Sequence, residues 1–78
     1  HSYLYTMKNI KKIKIKLNGK FKSIFNGYKL SNLLKDLNIP LKKVAIELNH
    51  QIIDKKEISK IKLKINDKIE IVHFIGGG

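Results

Sequence analysis

The last three residues of the chain, Gly76, Gly77 and Gly78, are the first feature that could carry chemistry. Glycine has no side chain to bury and loses more conformational freedom on folding than any other residue, so three in a row weaken any fold that contains them. A terminal glycine nevertheless presents its carboxylate without a side chain that hinders attack at the carbonyl carbon. We therefore predict that residues 76–78 are a flexible working tail whose reactive group is the carboxylate of Gly78; a cloning scar is the alternative.

The residues that lead into the tail, in the run KIEIVHFI, suggest where a partner could bind. Alternation along this run places Ile69 and Ile71 in the core. Val72 is then an apolar residue on the outer face, and Phe74 and Ile75 lie beyond the expected end of the strand. Exposed apolar residues beside a working tail are typical of an interaction surface. We predict that Val72, Phe74 and Ile75 help to bind a partner; the alternative is that Phe74 folds back onto the rim of the sheet.

Other kinds of chemistry find little support in the sequence. The chain has no cysteine, which excludes a disulfide, a nucleophilic thiol and a cysteine-based metal site. His73 has no second histidine or carboxylate at ligand spacing on its own strand, so we expect both His73 and its neighbour Glu70 to be ordinary solvated residues. We expect no metal, no bound cofactor and no catalytic residue.

The charge of the chain is strongly positive, with a formal net charge of +11. All 17 basic residues are lysine, and lysine, isoleucine and asparagine are all encoded by A/T-rich codons. We therefore interpret the charge mainly as solvated surface, since a surface that reads phosphates or bases usually includes arginine. A nucleic-acid-binding domain stays open as an alternative. No run is long and apolar enough to span a bilayer and none resembles a signal peptide, so a cytoplasmic protein is the expectation.

The first half of the chain predicts a hairpin followed by a helix. KIKIKL alternates apolar and lysine residues, which is typical of a strand with one buried face, and Asn18-Gly19 then favours a two-residue turn into a second strand, KFKSIF. The period changes after Asn26-Gly27. The apolar stripe of a helix is formed by residues at positions i, i+3, i+4 and i+7, namely Leu30, Leu33, Leu34 and Leu37. Pro40 predicts that this helix ends near Asn38.

The second half predicts further strands. VAIELN is predicted to be a strand, and QII a short strand that follows the Asn49-His50 turn. DKKE is predicted to be a single helical turn, and KIEIVHFI the last strand. IKLKI could be a strand or an extended crossover. One helical stripe and one sheet face indicate an α+β fold, a mixed sheet of four to five strands with one main helix packed across it. We expect the last strand to lie beside the first and parallel to it. The domain should comprise residues 7–75, with residues 1–6 a cloning remnant or a disordered extension and residues 76–78 the tail.

Two segments resemble the ThiS sulfur carriers of thiamin biosynthesis, which belong to the ubiquitin-like β-grasp superfamily. They are VAIELN, Val44–Asn49, and EIVHFIGGG, Glu70–Gly78. The ending differs from that of the MoaD carriers, which usually contain proline. His50 stands where the family commonly has glycine, and Asn66 replaces another usual turn glycine, so we expect some strain or a different turn type at His50.

The resemblance implies a function that the residues alone do not. It implies a carrier, not itself an enzyme and monomeric when free, that a ThiF-like partner adenylates at Gly78 with ATP. Sulfur derived from a cysteine desulfurase then converts the carboxylate to a thiocarboxylate, which donates sulfur to a ThiG-like thiazole synthase. A carrier for molybdopterin synthesis or tRNA thiolation is the nearest alternative.

Overall fold

The computed structural model describes residues 11–74, which form a five-stranded sheet, one α-helix and two short 3₁₀ helices. The strands are β1 Lys12–Leu17, β2 Lys20–Phe25, β3 Val44–Leu48, β4 Gln51–Ile52 and β5 Lys68–His73, and the helix, α1, is Leu30–Asp36. The 3₁₀ helices are Leu41–Lys43 and Lys55–Lys60. The strand order is β2-β1-β5-β3-β4, with β1 and β5 parallel and the other pairs antiparallel. The predicted α+β architecture and the position of the last strand are confirmed.

Two tight turns join neighbouring strands because asparagine tolerates the left-handed backbone region. Asn18 and Gly19 join β1 to β2 with φ of 49° and 82°. Asn49 and His50 join β3 to β4 with φ of 51° and 71°. Positive φ at both central residues matches the twist of antiparallel strands. The turn that the sequence predicts is therefore kept at His50, and a non-glycine side chain there bears the strain.

Helix α1 packs across one face of the sheet through the predicted leucine stripe. Leu30 and Leu33 are fully buried, and Leu34 is almost so. The sequence offered no clear residue to cap the start of the helix; in the structure Asn32 Oδ1 accepts a hydrogen bond from the Lys29 backbone N–H at 3.0 Å. The buried core that α1 shares with the sheet comprises Ile15, Ile24, Leu30, Leu33, Leu34, Val44, Ile46, Ile58, Leu63, Ile69 and Ile71.

The segment between the second 3₁₀ helix and β5 is an extended crossover. Within it, Lys62 makes an isolated antiparallel bridge with Lys29, and Leu63 is buried in the core. Alternation alone could not distinguish this crossover from a strand, because Ile61, Leu63 and Ile65 alternate with lysines in the sequence although only Leu63 is fully buried. Across residues 11–74, α1 and the shorter helical turns fall well below the length and hydropathy that a transmembrane helix requires.

Candidate functional site

The site is the carboxyl-terminal half of β5, the strand that leads to the glycines. β5 occupies the middle of the sheet, between β1 and β3. Ile69 is fully buried and Ile71 is 8% exposed, so alternate side chains anchor the strand in the core as the sequence predicts. The end of β5 therefore lies at one rim of the sheet.

One edge of β5 is held by β1 and then by a single side chain. The ladder between β1 and β5 ends where Leu17 pairs with Ile69. Beyond it, the Asn18 backbone N–H donates to the Ile69 carbonyl at 2.9 Å, and Asn18 Oδ1 accepts from the Ile71 N–H at 2.7 Å. The turn residue thus extends the pairing of β5 toward the rim. Sequence reasoning identified Asn18 only as a turn former, because its partner lies 53 positions away in the chain.

The other edge of β5 is paired with β3 along its whole length. The register runs from Leu48 opposite Ile69 to Val44 opposite His73. The Phe74 N–H then donates to the Lys43 carbonyl at 2.9 Å, one residue past the end of the strand. The backbone is therefore held through Phe74.

A second asparagine holds the beginning of β5. Asn49 Oδ1 accepts from the Lys68 N–H at 2.9 Å, and Asn49 Nδ2 donates to Asp67 Oδ1 at 3.0 Å. The other carboxylate oxygen of Asp67 accepts from the Lys64 N–H at 2.8 Å. Two turns that are distant in the chain are joined here, so asparagine side chains hold β5 at Lys68 and at Ile71.

Two of the predicted partner-binding residues lie on the surface beside the rim. Val72 is 52% exposed and Phe74 is 54% exposed. The Lys55 ammonium lies 5.6 Å from the centre of the Phe74 ring, within the range of a cation–π contact. Ile75 and the tail residues Gly76, Gly77 and Gly78 lie outside the described residues, as do residues 1–6. Binding by Val72 and Phe74 stays a prediction.

The polar residues near the rim do not form a metal-binding cluster within residues 11–74. His73 and Glu70 are exposed, and no three histidine or acidic side chains of this part of the chain lie close enough together to hold a metal ion. The clearest electrostatic perturbation is on another element. The hydroxyl of Tyr28 donates to the carboxylate of Asp36 at the end of α1, and this hydrogen bond raises the pKa of Tyr28. The rim therefore offers a held backbone and an apolar surface.

Comparison with known protein families agrees with this geometry. The family model described as the ThiS family matches residues 15–78. The sulfur carrier protein ThiS of Bacillus subtilis is 41% identical over 49 residues, which cover 63% of this chain and 74% of that protein. The solved structure of a thiamine biosynthesis protein, ThiS, from Geobacter metallireducens superposes with a TM-score of 0.71 at 26% identity, covering 85% of this chain and all of that chain.

Similarity also extends to a larger class of protein. A thiazole synthase of Magnetococcus marinus is 39% identical over 66 residues, which cover 85% of this chain. The chain spans only about a fifth of the length of this synthase, since the match covers 20% of it. A ThiS-like segment is thus present within a polypeptide that is named thiazole synthase.

Proposed function

The chain belongs to the ThiS family, and from this membership we propose that it is a sulfur carrier in thiamin biosynthesis whose reactive group is the carboxylate of Gly78. The observation that carries the proposal is the combination of a strand held through Phe74 with a run of three glycines that begins two residues later. The held strand supplies a constant starting point for the tail. The glycines supply reach, because residues without a Cβ can pass through a narrow channel into a partner's active site.

The proposed chemistry uses the partners' catalysts and the carrier's own carboxylate. An oxygen of the Gly78 carboxylate attacks the α-phosphorus of ATP on a ThiF-like enzyme, and pyrophosphate leaves. The terminal sulfur of a persulfide, formed by a cysteine desulfurase, attacks the acyl carbon, and AMP leaves. A thiol then reduces the resulting S–S bond with two electrons, which releases the thiocarboxylate. The carrier itself contributes no acid, base or cofactor to these steps, so it is not an enzyme in this scheme.

A thiazole synthase is the proposed acceptor of the sulfur. The match to a segment of a thiazole synthase supports this partner, because a segment similar to this chain then belongs to the same polypeptide as that synthase. Each docking of the tail costs conformational entropy, which surface contacts of the domain must offset. The exposed side chains of Val72 and Phe74, next to the tail, are the proposed contacts at the rim. We place this chemistry in the cytoplasm, where ATP is available.

Mass spectrometry of the intact chain tests the proposal. The chain ending at Gly78 is incubated with a ThiF-like enzyme, ATP and a persulfide source, and we expect its mass to rise by the difference between sulfur and oxygen. Two variants should show no rise: a chain lacking Gly78, and a chain of full length that carries a terminal amide in place of the carboxylate. The amide is the matched control because it removes one group and leaves the length unchanged. Sulfur loading of either variant would contradict the assignment.

A further inference from the structure

The outer face of the β1–β2 hairpin, opposite α1, combines exposed aromatic rings with lysines. Register pairs Lys12 with Phe25 and Lys16 with Phe21 on this face, and Lys14 lies between the two pairs. Phe21 is 69% exposed and Phe25 is 50% exposed. We call these five residues the hairpin face. Two large apolar side chains on one strand, both at least half exposed, form a patch rather than a single stray residue.

The hairpin is also the most one-sided part of the chain in charge. Residues 11–25 include no aspartate or glutamate, and the first acidic residue of the whole chain is Asp36. The lysines of this segment are Lys11, Lys12, Lys14, Lys16, Lys20 and Lys22. The ion pair formed within residues 11–74 joins Lys60 to Glu57, far from the hairpin in sequence. Within residues 11–74 these lysines form no ion pair with a carboxylate, although Asp36 lies near Lys12 and Lys22, and Glu70 lies near Lys16.

The lysines of the hairpin face are arranged around its rings. The ammonium groups of Lys12, Lys14 and Lys16 lie 5.2, 5.6 and 5.2 Å from the centres of the phenylalanine rings. These distances fall within the range of cation–π attraction, which favours these positions for the long side chains. The face therefore presents cations at preferred positions between apolar surfaces.

We propose that the hairpin face is a docking surface for a protein partner that presents carboxylates around an apolar contact. Carboxylates can pair with the ammonium groups where they already lie, while the exposed parts of Phe21 and Phe25 lose water to the partner. Single-stranded nucleic acid fits less well, because bases would have to displace the ammonium groups to stack on the rings. The chain also lacks arginine, the side chain best suited to bidentate recognition of phosphates and bases.

The hairpin face differs in location from the proposed contacts at the rim. β1 runs parallel to β5, so its first residue, Lys12, lies toward the end of the sheet away from Val72 and Phe74. A partner that uses both surfaces grips the outer side of the sheet as well as the rim. This inference rests on the proposed function for the choice of partners, and positive charge on the carrier predicts negative charge on them.

Binding measurements with the ThiF-like enzyme and the thiazole synthase of the same organism test the inference. Dissociation constants are measured by biolayer interferometry, without ATP, at low salt and at about 0.15 M salt. One variant combines Phe21→Thr with Phe25→Thr, since threonine keeps a high strand propensity. A second combines Lys12→Glu with Lys14→Glu. The matched control combines Lys56→Glu with Lys62→Glu, exposed lysines outside the hairpin whose replacement changes the net charge equally.

We expect the phenylalanine variant to weaken binding to at least one partner by about tenfold or more. The Lys12/Lys14 variant should slow association by about tenfold at low salt and flatten its salt dependence, while the Lys56/Lys62 control changes both by less than about threefold. Circular dichroism confirms that each variant is folded.

Three results would overturn the inference. If the hairpin variants bind both partners as tightly as the wild type does, the hairpin face is not a docking surface. If the same samples are still loaded with sulfur, the proposed function is unaffected by that result. If an oligo(dT) probe binds only when Phe21 and Phe25 are present, and competes with the partners, the hairpin face is a nucleic-acid-binding surface. If the wild-type chain neither binds a partner nor is loaded with sulfur, both proposals are wrong. If it binds a partner through the hairpin face but is not loaded with sulfur, only the proposed function is wrong.

Discussion

Replacement of Asn18 tests whether one side chain holds the last strand at the point where β1 ends. Asn18 has a φ of 49°, so Asn18→Gly keeps a residue suited to the turn and removes only the acceptor of the Ile71 N–H. Asn18→Asp is the matched control, because aspartate also tolerates this conformation and retains an oxygen at the same position. The pair of variants separates the hydrogen bond from the turn.

The expected loss follows from the environment of the hydrogen bond. The bond is short, at 2.7 Å, and partly buried, so its loss leaves the Ile71 amide with incomplete access to water. An unsatisfied buried donor costs about 1–3 kcal/mol, and partial burial places Asn18→Gly near 1–2 kcal/mol of unfolding free energy. A domain of this size loses about 4–8 °C in Tm per kcal/mol, which gives a decrease of about 4–16 °C.

Thermal unfolding and amide hydrogen exchange measure the effect. In the glycine variant, exchange at Ile71 should accelerate more than exchange at Ile46, its partner in the register on β3. In the aspartate variant, both the Tm and the protection of Ile71 should stay close to those of the wild type. If the glycine and aspartate variants lose equal stability, or if Ile71 is already unprotected in the wild type, Asn18 does not hold β5 and the reasoning fails.

Two further predictions concern a strained turn and a titrating hydrogen bond. His50→Gly should raise stability by about 0.5–1 kcal/mol, or about 2–8 °C in Tm, because His50 has a φ of 71° and glycine relieves that strain at some cost in chain entropy. His50→Ala is the control, and an equal gain in it would contradict the explanation by φ. The neutral Tyr28 hydroxyl donates to Asp36, so the folded-state pKa of Tyr28 lies above its ordinary value of 10.0. The hydrogen bond contributes fully to the free energy of unfolding below about pH 10. This contribution is lost as pH rises through the folded-state pKa, because the unfolded state then binds fewer protons than the folded state. Urea unfolding of wild type and Tyr28→Phe should therefore show a difference in stability that shrinks above about pH 10. A constant difference would show that the bond does not titrate.

Much of the fold could be predicted from the sequence because its signals are local. The alternation in KIKIKL, the leucine stripe of α1 and the Asn-Gly turn each involve residues within a few positions of one another. The order of the elements then permits few topologies in which the apolar stripe of the helix packs on one face of the sheet. The candidate tail was also visible in the sequence, since a run of glycines has no structural use in a core.

The residues that position the site could not be predicted in the same way. The bond from Asn18 to Ile71 joins residues 53 positions apart, and the bonds of Asn49 join turns 18 and 19 positions apart. The capping contact of Asn32 was short-range but belongs to a residue type that also suits a turn or an exposed helix position. Each of these side chains has several possible uses, and only its neighbours in space select one.

The alternation of buried and exposed faces and the positions of the turns follow from the sequence, because hydrophobic periodicity and turn propensity act between residues that are close in the chain. The glycine tail stays a prediction. Two features could be assigned only from the folded structure: Asn18 continues the pairing of the last strand, and IKLKI is a crossover. The tertiary structure also placed Phe21 and Phe25 among lysines on an uncovered face. These features depend on which strands become neighbours in the sheet. That arrangement is stabilised by contacts between segments that are remote in the chain.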